Sequence, residues 1–362
     1  MTKILLIKRA ALGDILMATP LIRQLKQKVP NLQLDFLVSD EFASVLRNNQ
    51  YIDNLITLPA SDFSIKKIFN LLKFAISIRG KYDYVFILDK HYYFNFIGRV
   101  ISKNTVGFVR ETISRLFLRY QVRYDDVMRY HGLYYLDLLK ASKLASPDYS
   151  DYKLDFNISV NDVAIAEKTL LEYGLRKNEF IIIINSGGNN RFESSGIRML
   201  PEDKIISLIN GISIGRQVKI VLLGGRNDEI NYNNYLKLVD GPDCHSKLDL
   251  ESRPTATNII NLAGKLSLEQ SAALMYHAQK IYTTDCGAMH IALSQGLGEK
   301  LFCFFGPTCP NHVLPPQKGI EYYWADIELF DKRYPLYGKM PKYNKYFTKL
   351  DVSRHSRVGG NL

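Results

Sequence analysis

Five short motifs in this 362-residue sequence combine glycine with acidic, hydroxyl or cationic side chains. They are ALGDILMATP (11–20), NSGGNNR (185–191), GGRNDE (224–229), TTDCGAMHIA (283–292) and FGPTCP (305–310). Each one follows a short apolar run of the kind that forms a buried strand. Glycine lets the backbone approach a ligand closely, and successive backbone N–H groups can form a nest for phosphate oxygens. The motifs therefore predict a site for a phosphate-bearing ligand near carboxylate groups.

The carboxylates of Asp14 and Asp285 are the main candidates for chemistry. Asp14 follows Gly13 at the start of a predicted helix, where it either lines a ligand site or caps the helix. Asp285 ends a predicted strand and either binds sugar hydroxyls or caps the next helix. His290 lies one turn into that helix, where it contacts a ligand or packs internally. These alternatives remain open from the residues alone.

Phosphate binding is predicted for several residues in the second half of the chain. Ser186, Gly187 and Gly188 form a nest or an ordinary turn, and Arg198 offers a two-pronged guanidinium. Backbone N–H groups at the helix start, Gly287, point the positive end of the helix dipole at an anion. The other candidates are the hydroxyl of Thr308 and the carboxylate of Glu229, which contacts a ribose or base, or is simply a helix-start acid. No G-x-G-x-x-G dinucleotide motif is present.

The composition is that of a globular protein with an excess of positive charge. Hydrophobic residues make up 46% of the chain, and the formal net charge is +11. Residues 61–130 hold thirteen Lys or Arg and six Asp or Glu. Such a stretch either binds a phosphate-rich partner or is a solvated helix face. We expect no nucleic-acid partner, because no nucleic-acid-binding motif is present.

The cellular location is predicted from what the sequence does not contain. No apolar run approaches the roughly 18 residues that span a bilayer. The short apolar stretch near residue 4 predicts a first buried strand and not a signal peptide. The four cysteines form no C-x-x-C pair, so we expect neither a zinc site nor a disulfide framework, and a reducing cytoplasm fits.

Short apolar runs alternate with amphipathic stretches along the chain, and this pattern is typical of parallel α/β layers. The elements that it predicts position the residues named above. Strands are predicted in the first half at 4–7, 34–38, 54–58, 84–88 and 104–108, and helices at 14–28, 41–48, 64–79, 92–101 and 128–143. After a polar linker at 146–163, strands follow at 180–185, 218–225, 258–262, 280–285 and 300–306. Helices accompany them at 201–213, 227–238, 267–278 and 287–296.

Two domains are therefore predicted, over 1–160 and 161–340. Residues 341–362 are predicted as a mobile tail, and 240–257 as a mobile, non-functional insertion that contains Cys244 and His245. Ligands bind at the carboxyl ends of strands in such sheets, where all five motifs fall.

At these residues the chain resembles the bacterial heptosyltransferases of glycosyltransferase family 9. The resemblance rests on KILLIKRAALGD (3–14), LAGKLSL (262–268), DCGAMHIA (285–292) and FGPT (305–308). It implies a GT-B fold, in which two Rossmann-like α/β domains face a central cleft. It also implies a cytoplasmic glycosyltransferase that moves heptose from ADP-heptose to a lipopolysaccharide inner-core acceptor, with inversion and without a metal or cofactor.

The resemblance also assigns roles. Asp14 matches the catalytic base, Arg198 stands where a Lys often holds the diphosphate, and Asp285 matches the residue that grips the heptose. Gly287, His290 and Thr308 belong to the donor loops. Cys286 replaces a usual Ser or Thr, and Leu200 replaces a common Trp.

The acceptor is expected to be a lipid-linked anionic saccharide at the inner face of the inner membrane. We expect Gly13 and the basic side chains of Arg110, Arg115, Arg119 and Arg123 to bind it. Two rival functions are a nucleotide-sugar epimerase of the same fold and a non-catalytic nucleotide-sugar-binding protein.

Overall fold

The computed structural model describes residues 1–64, 67–124, 129–187, 196, 198–213, 217–240, 258–325, 347–352 and 355. Gly188 and nearly all of the predicted insertion, with Cys244 and His245, lie outside these residues. By their contacts the residues divide into two compact units. Unit 1 is Met1–Asn157 with Asn311–Pro316, and unit 2 is Ile158–Pro310 with Gln317–Leu362.

Unit 1 contains, within its described residues, one parallel sheet of six strands. The strands are β1 (Thr2–Ile7), β2 (Leu32–Ser39), β3 (Asn54–Leu58), β4 (Tyr84–Ile87), β5 (Asn104–Val109) and β6 (Tyr120–Arg123). The α-helices are α1 (Leu12–Met17), α2 (Thr19–Lys28), α3 (Ile68–Ser77), α4 (Tyr92–Ile101) and α5 (His131–Ser142). Short 3₁₀ helices lie at 40–46, 60–63 and 112–116. Helices α1, α2 and α5 contact one another, and α4 contacts both α3 and the 112–116 helix.

Unit 2 repeats this plan. Its strands are β7 (Phe180–Ile184), β8 (Lys219–Leu222), β9 (Ile259–Asn261), β10 (Lys280–Thr284), β11 (Leu301–Phe305) and β12 (Glu321–Trp324). Its helices are α6 (Val160–Glu172), α7 (Glu202–Ser213), α8 (Arg226–Asp240), α9 (Leu268–Tyr276) and α10 (Gly287–Ser294). A 3₁₀ helix lies at 298–300. The short helix α11 (Pro310–Val313) begins with the last residue of the Ile158–Pro310 segment of unit 2 and continues into the Asn311–Pro316 segment of unit 1.

The strand order is the same in both sheets. It runs β3-β2-β1-β4-β5-β6 in unit 1 and β9-β8-β7-β10-β11-β12 in unit 2, with every pairing parallel. This is the doubly wound order, in which the connections turn in opposite directions from the two central strands. Ligands in such sheets bind at the carboxyl ends of those strands. The switch points are the ends of β1 and β4 in unit 1, and of β7 and β10 in unit 2.

The predicted α/β layering is confirmed, with local differences. The predicted helix 14–28 is two helices, because Pro20 lies at the start of α2 and supplies no N–H for a continuous helix. Strands β6 and β12 and helix α6 were not predicted. Both missed strands are four-residue edge strands with exposed polar side chains, so their hydrophobic pattern is weak.

The tail also differs from the prediction in part. Phe347, Leu350 and Val352 are buried in the hydrophobic core of unit 2, so this part of the predicted mobile tail is packed. Their apolar side chains are sufficient reason, since each removes nonpolar surface from water.

Candidate active site

A buried lysine joins two carboxylates at the switch point of unit 1. Lys8 follows β1, and its Nζ lies 3.2 Å from Asp14 Oδ2 and 3.3 Å from Asp89 Oδ1. Asp89 follows β4 and also accepts a 2.7 Å hydrogen bond from the Arg9 backbone N–H. The carboxyl ends of the two central strands are thus held together by charge.

Asp14 lies in the first turn of α1, but it does not cap that helix. The N-cap residue is Ala11, and the Asp14 side chain turns to Lys8 instead. The helix-cap interpretation of Asp14 is therefore wrong. Gly13, beside it, belongs to the same first turn.

The charge on Asp14 is set by its neighbours. Burial alone would raise its pKa, but the charges of Lys8 and Lys90 and the hydrogen bond from Lys8 bring the pKa well below its usual value. Asp14 is therefore a carboxylate throughout the physiological pH range. Its side chain keeps 17% of its surface exposed.

A chain of aromatic and imidazole groups lies next to this carboxylate. Lys90 Nζ lies 2.9 Å from the Tyr124 hydroxyl and 4.1 Å from the centre of its ring. The same hydroxyl is 2.9 Å from His131 Nε2, and the His131 ring stacks on His312 at 5.3 Å. Burial, followed by the charge of Lys90, lowers the pKa of His131 well below its usual value, although Asp14 opposes this. The His131 ring is therefore neutral at pH 7.

The four predicted acceptor arginines are spread over the sheet of unit 1. Arg110 directly follows β5 and Arg123 ends β6, so both lie at the carboxyl edge that also holds Asp14. Arg115 lies in the 3₁₀ helix between those strands.

Arg119 is placed differently from the other arginines. It precedes β6 and donates a 2.7 Å hydrogen bond to Asn104 Oδ1, where β5 begins. Because the strands are parallel, this is the amino edge of the sheet. The structure does not bring Arg119 together with Asp14.

The switch point of unit 2 is closed by backbone and side-chain hydrogen bonds. The Ser186 N–H donates to Thr284 Oγ1 at 3.1 Å, and the Thr284 hydroxyl donates to the Ser186 carbonyl at 2.6 Å. These bonds join the ends of β7 and β10. The nest residues Ser186 and Gly187 are therefore fixed beside Asp285.

Asn185 brings a distant segment to the same place. Its side-chain oxygen accepts from the Leu200 N–H at 2.8 Å, and its side-chain nitrogen donates to the Leu200 carbonyl at 3.1 Å. The amide thereby binds both backbone groups of one residue. Arg198, two residues earlier, is held against the switch point as a result.

Arg198 and Asp285 form an ion pair. Arg198 Nη1 lies 3.2 Å from Asp285 Oδ2, and the Asp285 side chain is almost fully buried. The N-cap of α10 is Cys286, so Asp285 is not the helix cap that the sequence left open. The pair keeps the charge of the buried carboxylate compensated.

The remaining donor candidates surround the start of α10. Gly287 is its first residue, and the N-cap Cys286 makes no side-chain capping bond. Thr308 follows β11 and is buried, with no hydrogen-bond partner for its Oγ1 among the described residues. His290 is buried within α10, in agreement with internal packing.

The GGRNDE motif places Asp228, which was not predicted, next to the nest. Asp228 Oδ2 accepts from the Gly225 N–H at 2.9 Å, and its carboxylate also binds the Ser186 side chain. Burial raises the pKa of Asp228 above its usual value despite these bonds. Glu229 lies in the first turn of α8, half-buried, as a helix-start acid does.

The described residues contain neither a metal-binding cluster nor a helix that could span a membrane. No group of three or more His, Cys, Asp or Glu side chains in them is arranged to hold a metal ion. None of the helices they form is both long and apolar enough to cross a membrane.

Comparison with known proteins decides the family. The sequence model of glycosyltransferase family 9 (heptosyltransferase) matches residues 71–334, which is most of the chain. The chain belongs to glycosyltransferase family 9. It is therefore a glycosyltransferase, and the predicted membership is confirmed.

Relatives and solved structures of similar proteins agree with this family. Lipopolysaccharide heptosyltransferase 1 of Campylobacter coli is 25% identical over 311 residues, covering 84% of each chain. Lipooligosaccharide heptosyltransferase 2 of Haemophilus ducreyi is 24% identical over 323 residues, covering 87% of this chain and 86% of that one.

The fold matches the solved structure of E. coli ADP-heptose lps heptosyltransferase II with a TM-score of 0.69 at 17% identity, over 98% and 96% of the two chains. E. coli heptosyltransferase WaaC with ADP-2-deoxy-2-fluoro heptose has a TM-score of 0.63 at 18% identity, over 90% and 94%. The GT-B assignment of the fold is thereby confirmed.

Several residues of the candidate site in this family 9 enzyme were not predicted from the sequence. They are Lys8, Asp89, Lys90, Tyr124, His131 and Asp228. A signal existed for three of them, because Lys8, Asp89 and Lys90 are charged residues directly after apolar strands. No local pattern marks Tyr124 or His131, which reach the site only through folding.

Proposed function

We propose that this protein transfers a heptose from ADP-heptose to the inner core of a lipopolysaccharide acceptor, with inversion and without a metal ion. The family and the heptosyltransferases named above support the reaction. The observation that carries the proposal is a charged, partly exposed Asp14 side chain at one switch point and an Arg198–Asp285 pair at the other. A carboxylate suits an acceptor hydroxyl, and an arginine suits a diphosphate.

Asp14 acts as the base in this proposal. The acceptor oxygen attacks the anomeric carbon while its proton passes to Asp14. The bond from that carbon to the diphosphate oxygen breaks, and the nucleotide diphosphate leaves with the electron pair. A single displacement of this kind inverts the anomeric centre.

Lys8 limits the strength of this base but fixes its position. A carboxylate with a lowered pKa takes a proton only as the attacking oxygen becomes acidic in the transition state. The ammonium of Lys8 prevents the carboxylate from rotating away, since it also holds Asp89. Positioning is thus the main contribution of the pair.

The leaving diphosphate is stabilised by fixed dipoles and one cation. Arg198, the backbone groups of Ser186 and Gly187, and the N–H groups at Gly287 supply them, as preorganised donors do for developing anions. The buried Thr308 hydroxyl offers a further hydrogen bond. Arg198 forms an ion pair with Asp285. In this proposal the guanidinium also binds the donor diphosphate, and the Asp285 carboxylate binds the sugar hydroxyls.

The acceptor is proposed to be held by the basic residues of unit 1. Arg110 and Arg123 lie at the carboxyl edge, and Arg115 lies between them in sequence. We leave Arg119 out of this group because of its position at the amino edge. Salt should weaken acceptor binding, since exposed charges are screened within about 10 Å at 0.1 M. We place the enzyme in the cytoplasm, peripheral to the inner membrane.

An Asp14→Asn variant tests the role of the base. The amide keeps the shape but cannot take the proton, so kcat at saturating donor should fall by about 10²–10⁴-fold. The affinity for ADP, measured by calorimetry, should stay the same. Asp203→Asn, at an exposed position in unit 2, is the matched control and should have normal turnover. Near-normal turnover of Asp14→Asn would remove this residue from the mechanism.

An Arg198→Ala variant tests the donor site separately. Loss of a charged hydrogen-bond donor should weaken ADP binding by roughly 10–100-fold. Arg198→Lys retains a cation and should recover most of the affinity. Arg176→Ala, at an exposed position where the arginine pairs with Glu179, controls for general charge loss. ADP affinity within twofold of the wild type in Arg198→Ala would contradict the proposed donor site.

A further inference from the structure

Large apolar side chains are exposed on one side of the sheet of unit 1. Phe69 and Ile76 on α3 are 73% and 57% exposed, and Leu116 in the 112–116 helix is 76% exposed. Ile113 in the same short helix is also exposed. Neither the base at Asp14 nor the proposed donor site uses any of these residues.

Helix α3 presents these side chains as a stripe. Phe69, Lys73 and Ile76 are spaced by four and three residues, so they lie on one face. The opposite face packs through Leu71 and Ala75, which are buried. The outer face of α3 is therefore apolar and cationic, and it is not needed for the core.

The 112–116 helix belongs to the same side of the sheet. Helix α4 contacts both this segment and α3. The rings of Phe96 on α4 and Phe117, just after the segment, meet edge to face at 5.5 Å. The exposed residues of α3 and of the 112–116 helix consequently flank one helix on one surface.

The charged residues in these segments are mostly basic. Residues 63–82 contain five Lys or Arg and no Asp or Glu. Residues 92–123 contain six Lys or Arg, with Glu111 as their single acid. The exposed Lys73 and Arg79 lie next to the apolar stripe.

Helix α6 in unit 2 shows that exposure alone does not distinguish this surface. Its Val160 and Leu171 are 88% and 84% exposed, more than Phe69 or Leu116. The neighbouring residues on α6 include Asp162, Glu167 and Glu172. An anionic partner would therefore be repelled from α6 and attracted to α3.

We infer that the outer surface of α3 and the 112–116 helix docks on an anionic lipid bilayer. Phe69, Ile76 and Leu116 enter the boundary between headgroups and acyl chains, and Lys73 and Arg79 contact lipid phosphates. Exposed apolar residues interleaved with Lys and Arg are the composition of interfacial helices. Lysine is depleted in protein–protein interfaces, which favours lipid over a protein partner.

This inference rests on the proposed function, because docking on a membrane is useful to an enzyme whose acceptor is linked to a membrane lipid. Its test needs no transfer reaction. Vesicle binding can fail while transfer to a water-soluble acceptor fragment persists, and the reverse is equally possible. The two proposals are thus separable.

The experiment is cosedimentation of the full chain with vesicles of phosphatidylglycerol and phosphatidylethanolamine, compared with vesicles of pure phosphatidylcholine. The wild type should bind the anionic vesicles and not the neutral ones. Phe69→Ser/Leu116→Ser and Lys73→Glu/Arg79→Glu should each lower the partition coefficient about tenfold or more. Thermal melting followed by circular dichroism checks that each variant is folded.

Matched controls come from α6 and the residues after it. Val160→Ser/Leu171→Ser removes apolar groups that are more exposed than the tested ones. Lys168→Glu/Arg176→Glu reverses charges that are also exposed. Both pairs should bind vesicles like the wild type. Equal losses in test and control pairs, or no loss in either test pair, would overturn the inference.

A gain-of-signal variant covers the case in which the test pairs fold poorly. Phe69→Trp should show a blue-shifted fluorescence emission with anionic vesicles, after subtraction of the wild-type signal from Trp324. An unchanged emission maximum would overturn the inference. A concentration-dependent dimer that the Phe69→Ser/Leu116→Ser change abolishes, without loss of vesicle binding, would overturn it in favour of a second copy of the chain.

Discussion

Replacing Lys8 by methionine should destabilise unit 1 in a way that depends on pH. The substitution keeps an unbranched side chain but removes the ammonium that holds Asp14 and Asp89. Two carboxylates then share a largely buried site with no charge between them. The structural change is small, so the effect is mainly electrostatic.

The magnitude follows from the two distances. At an effective dielectric constant of about 20, unit charges near 3 Å apart attract by roughly 5 kcal/mol. Most of this is offset, because the variant no longer has to desolvate the ammonium. Breaking a buried pair costs about 3–5 kcal/mol. We expect about 3 kcal/mol, the lower end, since 17% and 12% of the two carboxylate side chains are exposed.

Thermal melting at pH 7, followed by circular dichroism, is the assay. One kcal/mol shifts the melting temperature by about 2–4 °C in a unit of this size, so the variant should melt about 6–12 °C lower. Lys8→Met/Asp89→Asn should recover about half of this shift, because it removes one of the two uncompensated charges. The asparagine oxygen can still accept the Arg9 N–H.

The pH dependence gives the sign of the effect. The folded-state pKa of Asp14 is lowered from 3.8, so its stabilising contribution is complete above the unfolded pKa and disappears as pH falls through the folded one. The Lys8→Met penalty should therefore be full at pH 7 and should already be smaller at pH 4, because burial and mutual repulsion make the two carboxylates of the variant take up protons more readily than free ones. A shift under about 2 °C at pH 7, or an equal penalty at pH 7 and pH 4, would refute this reasoning.

Two further predictions concern unit 2. Asn185→Ala removes the side-chain amide that binds the buried N–H and carbonyl of Leu200. We expect the free energy of unfolding, measured by urea denaturation, to fall by about 1–3 kcal/mol. ADP should also bind more weakly, because Arg198 is no longer held in place. A loss of stability with unchanged ADP affinity would contradict the positioning role. Gly224→Ala places a Cβ 2.7 Å from Asp228 Oδ2 and 2.8 Å from its Cβ, whereas at Gly225 the nearest such atom is 3.9 Å away. Gly224→Ala should melt several degrees lower than the wild type, and Gly225→Ala should melt near the wild type. Equal melting temperatures of the two variants would contradict the packing argument.

Most of the fold could be predicted because its central strands are buried on both faces. Runs such as ILLI and FIIII are apolar throughout, which is what helices covering both faces of a parallel sheet require. The short edge strands β6 and β12 lack this signal. Their formation depends on the neighbouring strand, so local sequence carries little information about them.

The candidate site was predictable in part for the same reason. Asp14, Ser186 and Asp285 follow apolar strands, and parallel strands bring their carboxyl ends to one edge. This places the residues near a switch point without any knowledge of contacts. The family motifs then assigned roles to them.

Only the tertiary structure decided how these residues interact. Lys8 meets Asp89 across 81 positions of sequence, and Arg198 meets Asp285 because Asn185 binds Leu200. The sequence determined that a carboxylate stands after β1. Its charge state depends on burial and on cations that folding brings to it, and Coulomb interactions depend on distance in space and not on separation along the chain.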